Sequence, residues 1–177
     1  PFLLANQVGG NDDLLFDGRS VVAWPDGTAV VAPAWVEGVL IADLSNPQNC
    51  IWLGEGELTV LNPTDEISDG DEGLLDAIII GLSDYCRKSG ISKIVLGLSG
   101  GIDSALAACI ASAAVGAANV TGISMPSKHS SQHSIDDARS TAEALGIEFS
   151  LQPIMDLHNA TDTALAELLA NGNPVAG

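Results

Sequence analysis

Residues 94–107 read Ile94-Val-Leu-Gly-Leu-Ser-Gly-Gly-Ile-Asp-Ser-Ala-Leu-Ala107: an apolar run, a glycine pair and the start of an alanine-rich segment. An unbroken apolar run such as 94–98 is typical of a strand buried on both faces of a parallel sheet. Gly100 and Gly101 permit a sharp turn and a close approach of a ligand to the backbone, because neither carries a Cβ. The segment 103–115 predicts a helix. The order strand, glycine loop and helix places the first amides of the helix where a phosphate can bind.

The side chains of this loop are suited to an anion that carries a metal ion. Ser99 and Ser104 add hydroxyl donors to the unpaired N–H groups and the dipole of the helix N-terminus. Asp103 would repel a bare phosphate, so a carboxylate at this position predicts Mg²⁺ between it and the phosphates. The loop has neither the GxxxxGK[ST] spacing of a Walker A loop nor the GxGxxG spacing of a dinucleotide-binding loop. The structural alternative is an ordinary strand-to-helix turn with Asp103 as the N-cap.

The rest of 74–177 alternates helical and strand patterns. Apolar residues at helical spacing before the loop end at Gly90, and further patterns follow it. Together they predict an α/β fold with a doubly wound, mostly parallel sheet. Ser134 and Asp137 form an S-x-x-D pattern that predicts the start of a helix. The predicted elements are helices over 74–90, 103–115, 134–145 and 157–169 and strands over 94–98, 119–124 and 147–151.

The chain before this region has a different composition. Residues 1–43 consist of short apolar and β-branched runs separated by turn signals, of which Pro25-Asp-Gly27 predicts a hairpin turn. Residues 44–73 are rich in Asn, Pro, Gly and acids, which predicts a linker between two domains. We therefore expect a β-rich part over 1–43, a linker over 44–73 and an α/β domain over 74–177.

Composition excludes several classes of protein. The 177 residues include 23 acidic and 6 basic side chains, a net charge of −17. Such a chain lacks the basic face that binds nucleic acid or an anionic membrane surface. Residues 104–127 carry no charge, but glycines and polar residues interrupt them, so a helix and a strand fit better than a membrane span. Cys50, Cys86 and Cys109 are too sparse for a disulfide framework or a zinc site; we expect buried side chains and a reducing compartment.

The loop resembles the SGGxDS loop of the ATP pyrophosphatase (PP-loop) families, and residues 95–107 and 122–138 resemble NAD⁺ synthetases in particular. The resemblance implies that the loop holds the pyrophosphate of ATP, with Asp103 on Mg²⁺. It also implies that Ser124 and Met125 lie near the adenosine, and that the loop 126–133 is mobile and closes over the substrate. Lys128 follows the second strand at the carboxyl edge of the sheet, where a phosphate contact is expected and a solvated lysine is the alternative. The expected ATP-binding residues are Gly97, Leu98, Ser99, Gly100, Gly101, Asp103, Ser104, Ser124, Met125 and Lys128.

Residues 5–20, Ala5-Asn-Gln-Val-Gly-Gly-Asn-Asp-Asp-Leu-Leu-Phe-Asp-Gly-Arg-Ser20, are similar to the last part of a nitrilase-type glutaminase domain. Glutamine-dependent NAD⁺ synthetases carry that domain before the PP-loop domain. The resemblance implies an internal fragment of a cytoplasmic, homo-oligomeric ligase that amidates nicotinate adenine dinucleotide through an adenylate, with ammonia from glutamine. The Glu–Lys–Cys triad of the glutaminase has no counterpart in the fragment, which we expect to be inactive alone.

Two other interpretations stay open at this point. Another PP-loop enzyme, such as a GMP synthetase or a tRNA-modifying ligase, would share the loop. The nitrilase-like residues disfavour both of these enzymes, and the negative charge disfavours a tRNA substrate. A non-catalytic nucleotide-binding module is the alternative from a different class.

Overall fold

The computed structural model of the chain describes residues 1–64, 70–128 and 130–171, without the side chains of 70–72 and 167–171. The chain divides into two units, Pro1–Ile91 and Ser92–Gly177. The first unit contains β1 (Phe2–Leu4), β2 (Val8–Asn11), β3 (Leu14–Asp17), β4 (Val21–Ala23), β5 (Ala29–Val31), β6 (Gly38–Ala42), β7 (Cys50–Gly54), β8 (Glu57–Leu61) and helix α1 (Gly70–Lys88). The second contains β9 (Ile94–Gly97), α2 (Ile102–Val115), a 3-10 turn (Ala117–Asn119), β10 (Val120–Ser124), α3 (Gln132–Leu145), β11 (Glu148–Leu151) and α4 (Met155–Asn171).

The strand pairs described in the first unit are antiparallel. The strands form one sheet of order β1-β4-β5, one of order β6-β7-β8 and the hairpin β2-β3. The first two sheets share a core made of Val22, Trp24, Val30 and Cys50. The indole of Trp24 donates a hydrogen bond to the carbonyl of Leu44 at 2.9 Å, so its polar edge is satisfied.

The predicted hairpin turn joins β4 to β5. The Trp24 amide donates to the Thr28 carbonyl at 2.8 Å, and the Thr28 amide donates to the Asp26 carboxylate at 3.0 Å. The latter bond lowers the pKa of Asp26. Gly27 has φ of +90°, a conformation that its missing side chain makes inexpensive. The sequence prediction at Pro25-Asp-Gly27 is confirmed.

The stretch 44–73 is not the unstructured linker that its composition predicts. Strands β7 and β8 lie within it and pair in register, with Cys50 opposite Leu61 and Gly54 opposite Glu57. The composition misled because it averages over polar segments on both sides of the two strands. Asn46, Pro47 and Asn49 lie in the turn before β7, where Asp43 accepts from the Ser45 amide at 2.9 Å. Residues 65–69 of this stretch lie outside the described residues.

The second unit is built on a parallel sheet. Strands β9, β10 and β11 are ordered β11-β10-β9, and both neighbouring pairs are parallel. The two crossovers step in the same direction along the sheet, so their right-handed paths place α2 and α3 on one face. Helices α2 and α3 contact each other there. The predicted α/β fold with a parallel sheet is confirmed.

Small residues let the two helices approach the sheet. Ala108 and Ala111 of α2 and Ala138 and Ala142 of α3 are at most 4% exposed. They pack with Leu98, Val120 and Ile147. This packing accounts for the charge-free stretch 104–127, and no helix in the described ranges is long and apolar enough to cross a membrane.

Two local predictions need correction. Cys50 and Cys86 are buried, as expected, but Cys109 is exposed because the helical period turns it away from Ala108 and Ala111. The cap of α3 is Ser131 rather than Ser134. The Ser131 hydroxyl accepts from the Ser134 amide at 3.1 Å, which satisfies one of the unpaired donors of the helix.

Candidate functional site

The glycine-serine loop leaves the carboxyl end of β9. In open α/β sheets this is the edge where ligands bind. The Leu98 amide donates to the Ile123 carbonyl of β10 at 2.8 Å, so the loop begins on the sheet itself. Leu98 is only 2% exposed and belongs to the core of the second unit. One end of the loop is thus fixed by the same packing that stabilises the fold.

Gly122 makes the room that Leu98 needs. A Cβ on Gly122 would lie 2.4 Å from Leu98 Cδ1 and 3.0 Å from Leu98 Cγ. Gly122 lies in the middle of β10, where glycine weakens a strand and often marks a close approach. Sequence reasoning missed this residue as part of the site. The signal was a glycine in the middle of a strand pattern rich in β-branched residues.

The serine hydroxyls close the loop on itself. Ser104 Oγ accepts from the Ser99 amide at 3.2 Å and donates to the Gly101 carbonyl at 2.9 Å. Ser99 Oγ accepts from the Gly101 amide at 3.2 Å and lies 3.1 Å from Ser104 Oγ. Ser104 Oγ already donates its one proton to the Gly101 carbonyl. In the contact between the two hydroxyls, Ser99 Oγ is therefore the donor. All four bonds are exposed, so an anionic ligand can exchange for them.

Gly100 is required by both its conformation and its surroundings. Its φ is +82°, and a Cβ built on it would lie 2.2 Å from the carbonyl oxygen of Ser134. That oxygen belongs to the first turn of α3, so the loop and α3 meet without space for a side chain. Gly101 has φ of −89°, and a Cβ built on it would contact only Ser99 Oγ, at 3.3 Å. The two glycines of the motif are therefore constrained very differently.

Asp103 is exposed and does not cap the helix. The N-cap of α2 is Gly101, which makes no side-chain capping bond, and Asp103 lies in the first turn. The structural alternative for Asp103 is therefore wrong. A carboxylate next to a helix N-terminus is favoured by the helix dipole. At this position it is also available to a cation.

A cleft of about 230 Å³ opens beside the loop. Five of the predicted site residues line this cleft. One of them, Ser124, is only 5% exposed. Ser130 also lines the cleft and belongs to the loop 126–133 that was expected at the site, whereas Ser134, in the first turn of α3, was not predicted there. Gly100, Gly101, Asp103, Ser104 and Lys128 do not line it. The lining residues are Gly97, Leu98, Ser99, Ile123, Ser124, Met125, Pro126, Ser130, Ser134 and Ile135.

Lys128 pairs with α4 in the present structure. Its Nζ lies 3.5 Å from Asp162 Oδ2, and both side chains are about half exposed. The same carboxylate lies 3.4 Å from His158 Nε2. An exposed pair of this kind contributes about 0–1 kcal/mol. The neighbouring His129, part of the loop 126–133 predicted to close, lies outside the described residues.

The ranges 1–64, 70–128 and 130–171 contain no metal site formed by protein side chains alone. No three side chains of His, Cys, Asp or Glu converge there. His133 lies on α3 and pairs with Asp137 at 3.3 Å. A cation at the loop would have to complete its shell with ligand oxygens and water, as Mg²⁺ does.

The fold and the candidate site define an α/β protein with a glycine-serine loop at the carboxyl edge of its parallel sheet. A sequence model of the NAD synthase family matches residues 74–176, and the chain belongs to this family. Two glutamine-dependent NAD(+) synthetases are similar to it: that of Rhodobacter capsulatus at 45% identity over 175 residues and that of a Synechocystis species at 41% over 169 residues. These alignments cover 98% and 95% of the chain but 31% and 29% of the relatives.

A solved structure resembles both units in sequence order. The glutamine-dependent NAD⁺ synthetase from Acinetobacter baumannii, in complex with adenosine diphosphate, aligns with a TM-score of 0.79 at 30% identity. The alignment covers 97% of this chain and 31% of that structure. The chain therefore spans about a third of the length of these relatives.

Proposed function

We propose that the chain is part of an enzyme that amidates nicotinate adenine dinucleotide to NAD⁺ at the expense of ATP, with ammonia from glutamine. The observation that carries the proposal is the loop between β9 and α2, with Gly100 held at φ of +82° against α3. Membership of the NAD synthase family and similarity to glutamine-dependent relatives support the choice of substrate.

The proposed reaction has two chemical steps. The nicotinate carboxylate attacks the α-phosphate of ATP, forming an adenylate and releasing pyrophosphate. Ammonia then attacks the activated carboxyl carbon, and AMP leaves. Negative charge develops on the leaving pyrophosphate, so donors already aimed at it lower the barrier.

The loop supplies those donors. In our proposal the amides of Gly100 and Gly101 and the first turn of α2 bind the pyrophosphate. The hydroxyls of Ser99 and Ser104 exchange their mutual bond for bonds to phosphate oxygens. These donors sit on a strand end and a helix start, so little reorganisation accompanies the reaction.

Asp103 is the residue that would hold Mg²⁺. Its carboxylate is exposed at the helix N-terminus and is not used as a cap, which fits a cation shared with the phosphates. Mg²⁺ at this position would neutralise phosphate charge and polarise the P–O bond. The acidity of the chain supports the same dependence, because bare ATP is repelled by a net charge of −17.

The remaining predicted residues have subordinate parts in the proposal. Ser124 and Met125 would border the adenosine, since both line the cleft next to the loop. Gly97 and Leu98 fix the start of the loop. Lys128 would contact a phosphate after leaving Asp162, at a cost that the exposure of this pair keeps small.

Residues 1–43 are proposed to be the last part of a nitrilase-like glutaminase domain and 74–177 the first part of the synthetase domain. The glutaminase triad lies elsewhere in the whole protein. This fragment is expected to be inactive without the rest of both domains. A cytoplasmic location and homo-oligomeric assembly complete the proposal.

The test is a product assay on the full reading frame. The protein is supplied with Mg-ATP and nicotinate adenine dinucleotide, together with glutamine or an ammonium salt. Formation of NAD⁺ and AMP in equal amounts is the expected result, and activity with glutamine supports the glutaminase half. AMP released only with another acceptor, such as xanthosine monophosphate, would keep the PP-loop chemistry and overturn the substrate. ATP binding without turnover would favour a non-catalytic module.

A further inference from the structure

Helix α1 is assigned to one part of the chain by its sequence and to the other part by its contacts. The match to the NAD synthase family begins at Leu74, within α1, so most of this helix belongs by sequence to the synthase region. Its contacts, however, are with the β2-β3 hairpin of the first unit. Gly81 lies over Leu15 of the hairpin, where a Cβ would meet the leucine methyls at 3.8 Å. Farther along the same helix, Asp84 lies against Gly10 of β2.

Two side chains of α1 hold both backbone groups of Gly10. The carboxylate of Asp84 accepts a hydrogen bond from the Gly10 amide at 2.9 Å. The ammonium group of Lys88 donates to the Gly10 carbonyl. One residue of the hairpin is therefore fixed at two points by residues one helical turn apart. We call these three residues, Gly10, Asp84 and Lys88, the Gly10 clamp.

The clamp is also electrostatic. Asp84 Oδ1 lies 2.6 Å from Arg87 Nη2, and Asp84 Oδ2 lies 3.3 Å from Lys88 Nζ. The Arg87 guanidinium, together with the Gly10 amide and Lys88, holds the pKa of Asp84 below its usual range. The side chain is 16% exposed, so these interactions are partly shielded from water.

The hairpin is shaped to receive the carboxylate. Gly9 has φ of +102°, and a Cβ on it would lie 2.3 Å from Asp84 Oδ2. The carboxylate thus occupies the space of a side chain at Gly9. The glycine pair Gly9-Gly10, which the sequence pattern indicated as a turn, lies in β2 and leaves room for this carboxylate.

Helix α1 ends at a glycine a few residues before β9 in the sequence. Gly90, at φ of +70°, ends the helix, and the Ile91 amide donates to the Cys86 carbonyl at 2.8 Å. This is the glycine-terminated geometry that commonly closes helices. Strand β9 begins at Ile94 and ends at the site loop. Only five residues, 89–93, separate the helix that carries the clamp from the strand that carries the site.

We propose that Asp84 is a positioning residue that couples glutamine use to NAD⁺ formation by holding α1 on the β2-β3 hairpin. The inference rests on the proposed function, in which residues 1–43 belong to the glutaminase part. A shift of the hairpin would move α1 and, through the short connection 89–93, would affect β9 and the site loop that follows it. Loss of the clamp should therefore leave the amidation chemistry with free ammonia largely intact while uncoupling glutamine hydrolysis from it.

The test uses the full-length enzyme and compares glutamine with ammonia as nitrogen donor. Asp84→Ala removes the acceptor, and Asp84→Asn keeps an oxygen for the Gly10 amide but loses the charge. Asp76→Ala, at an exposed position of the same helix, is the matched control. Lys88→Met removes the contact to the Gly10 carbonyl and keeps the test decisive if Asp84→Ala does not fold. Glutamine consumed per NAD⁺ formed is measured in parallel.

In Asp84→Ala we expect glutamine-driven NAD⁺ formation to fall at least about fivefold relative to ammonia-driven formation, the lower range of typical coupling between sites. Glutamine consumed per NAD⁺ should rise, Asp84→Asn should be intermediate, and Asp76→Ala should match the wild type. An equal fall with both donors would reduce Asp84 to a structural role and overturn the proposal, as would an unchanged ratio. A wild-type enzyme that makes no NAD⁺ with either donor would overturn the proposed function and this inference together.

Discussion

Replacing Gly100 by alanine adds one methyl group at the tightest point of the site loop. The new Cβ would lie 2.2 Å from the carbonyl oxygen of Ser134, and Cβ contacts under 3.0 Å are essentially never seen. The loop or the start of α3 must therefore move by at least 0.8 Å. The obstacle is a backbone carbonyl that is part of a helix, so it cannot rotate away as a side chain would.

The magnitude follows from two contributions. A non-glycine residue at positive φ costs about 1–2 kcal/mol. Forcing an extra carbon into a packed place adds about 1–3 kcal/mol. We expect Gly100→Ala to lower the free energy of unfolding of the second unit by about 2–5 kcal/mol. A displacement of nearly 1 Å at a positioned catalytic loop also predicts a loss of about 100-fold in kcat/KM.

Gly101→Ala is the matched control, because it makes the same change one residue later. At φ of −89° and 3.3 Å from a serine hydroxyl, its Cβ meets only a side chain that can rotate. Alanine is less favourable than glycine at an N-cap, typically by under about 1 kcal/mol, so the unfolding free energy should change by less than about that amount.

Urea unfolding of both variants and NAD⁺ formation by the full-length enzyme with Mg-ATP measure these effects. Equal stability losses in Gly100→Ala and Gly101→Ala would refute the argument, because it depends on the contact with Ser134 rather than on glycine as such. Wild-type stability in Gly100→Ala would refute it as well.

Three further perturbations address other parts of the site. Asp103→Asn should lower turnover of the full-length enzyme by about 100-fold and raise the Mg²⁺ concentration it needs, while its unfolding free energy changes by less than about 1 kcal/mol; equal turnover at every Mg²⁺ concentration would contradict the metal role. Gly122→Ala should push Leu98 out of place and destabilise the second unit by about 1–3 kcal/mol in urea unfolding; an unchanged midpoint would show that the leucine can repack. Asp84→Asn should cost about 1.5–3 kcal/mol at neutral pH. Since the folded-state pKa of Asp84 is lowered, its stabilisation is complete above the ordinary carboxyl pKa and is lost as the pH falls through the lowered value. The stability difference from wild type should thus disappear in acid, and a pH-independent difference would argue against the charged clamp.

Sequence patterns predicted the parallel sheet because its strands and helices have strong periods. Residues 94–98 are a short apolar run, 119–124 contain the β-branched Val120, Thr121 and Ile123, and 134–145 place Ala138 and Ala142 at helical spacing. The strands β2 and β3 were missed because the glycines and acidic residues of 8–17 have low strand propensity. They form a hairpin through pairing with each other, Gly9 opposite Phe16 and Gly10 opposite Leu15. Pairing partners are a property of the fold, which a local window does not contain.

The candidate site could be proposed from the sequence where its residues are consecutive, and not where the fold brings distant residues together. The loop residues Ser99 to Ser104 were identified because their order in the chain is itself the signal. Ser134 lines the same cleft but lies some thirty residues later, in the first turn of another helix. Only the parallel arrangement of β9 and β10 brings the start of α3 to the loop.

The sequence by itself determined the local character of the candidate loop, because glycines, serine hydroxyls and a helix start are properties of consecutive residues. The tertiary structure alone decided which glycine of the pair is irreplaceable, since the constraint on Gly100 is a carbonyl of α3. It alone decided that Gly122 gives Leu98 its place and that Asp84 holds Gly10. The physical reason is common to all three. Each depends on excluded volume or a hydrogen bond between residues far apart in the chain, and such contacts exist only after packing has fixed both partners.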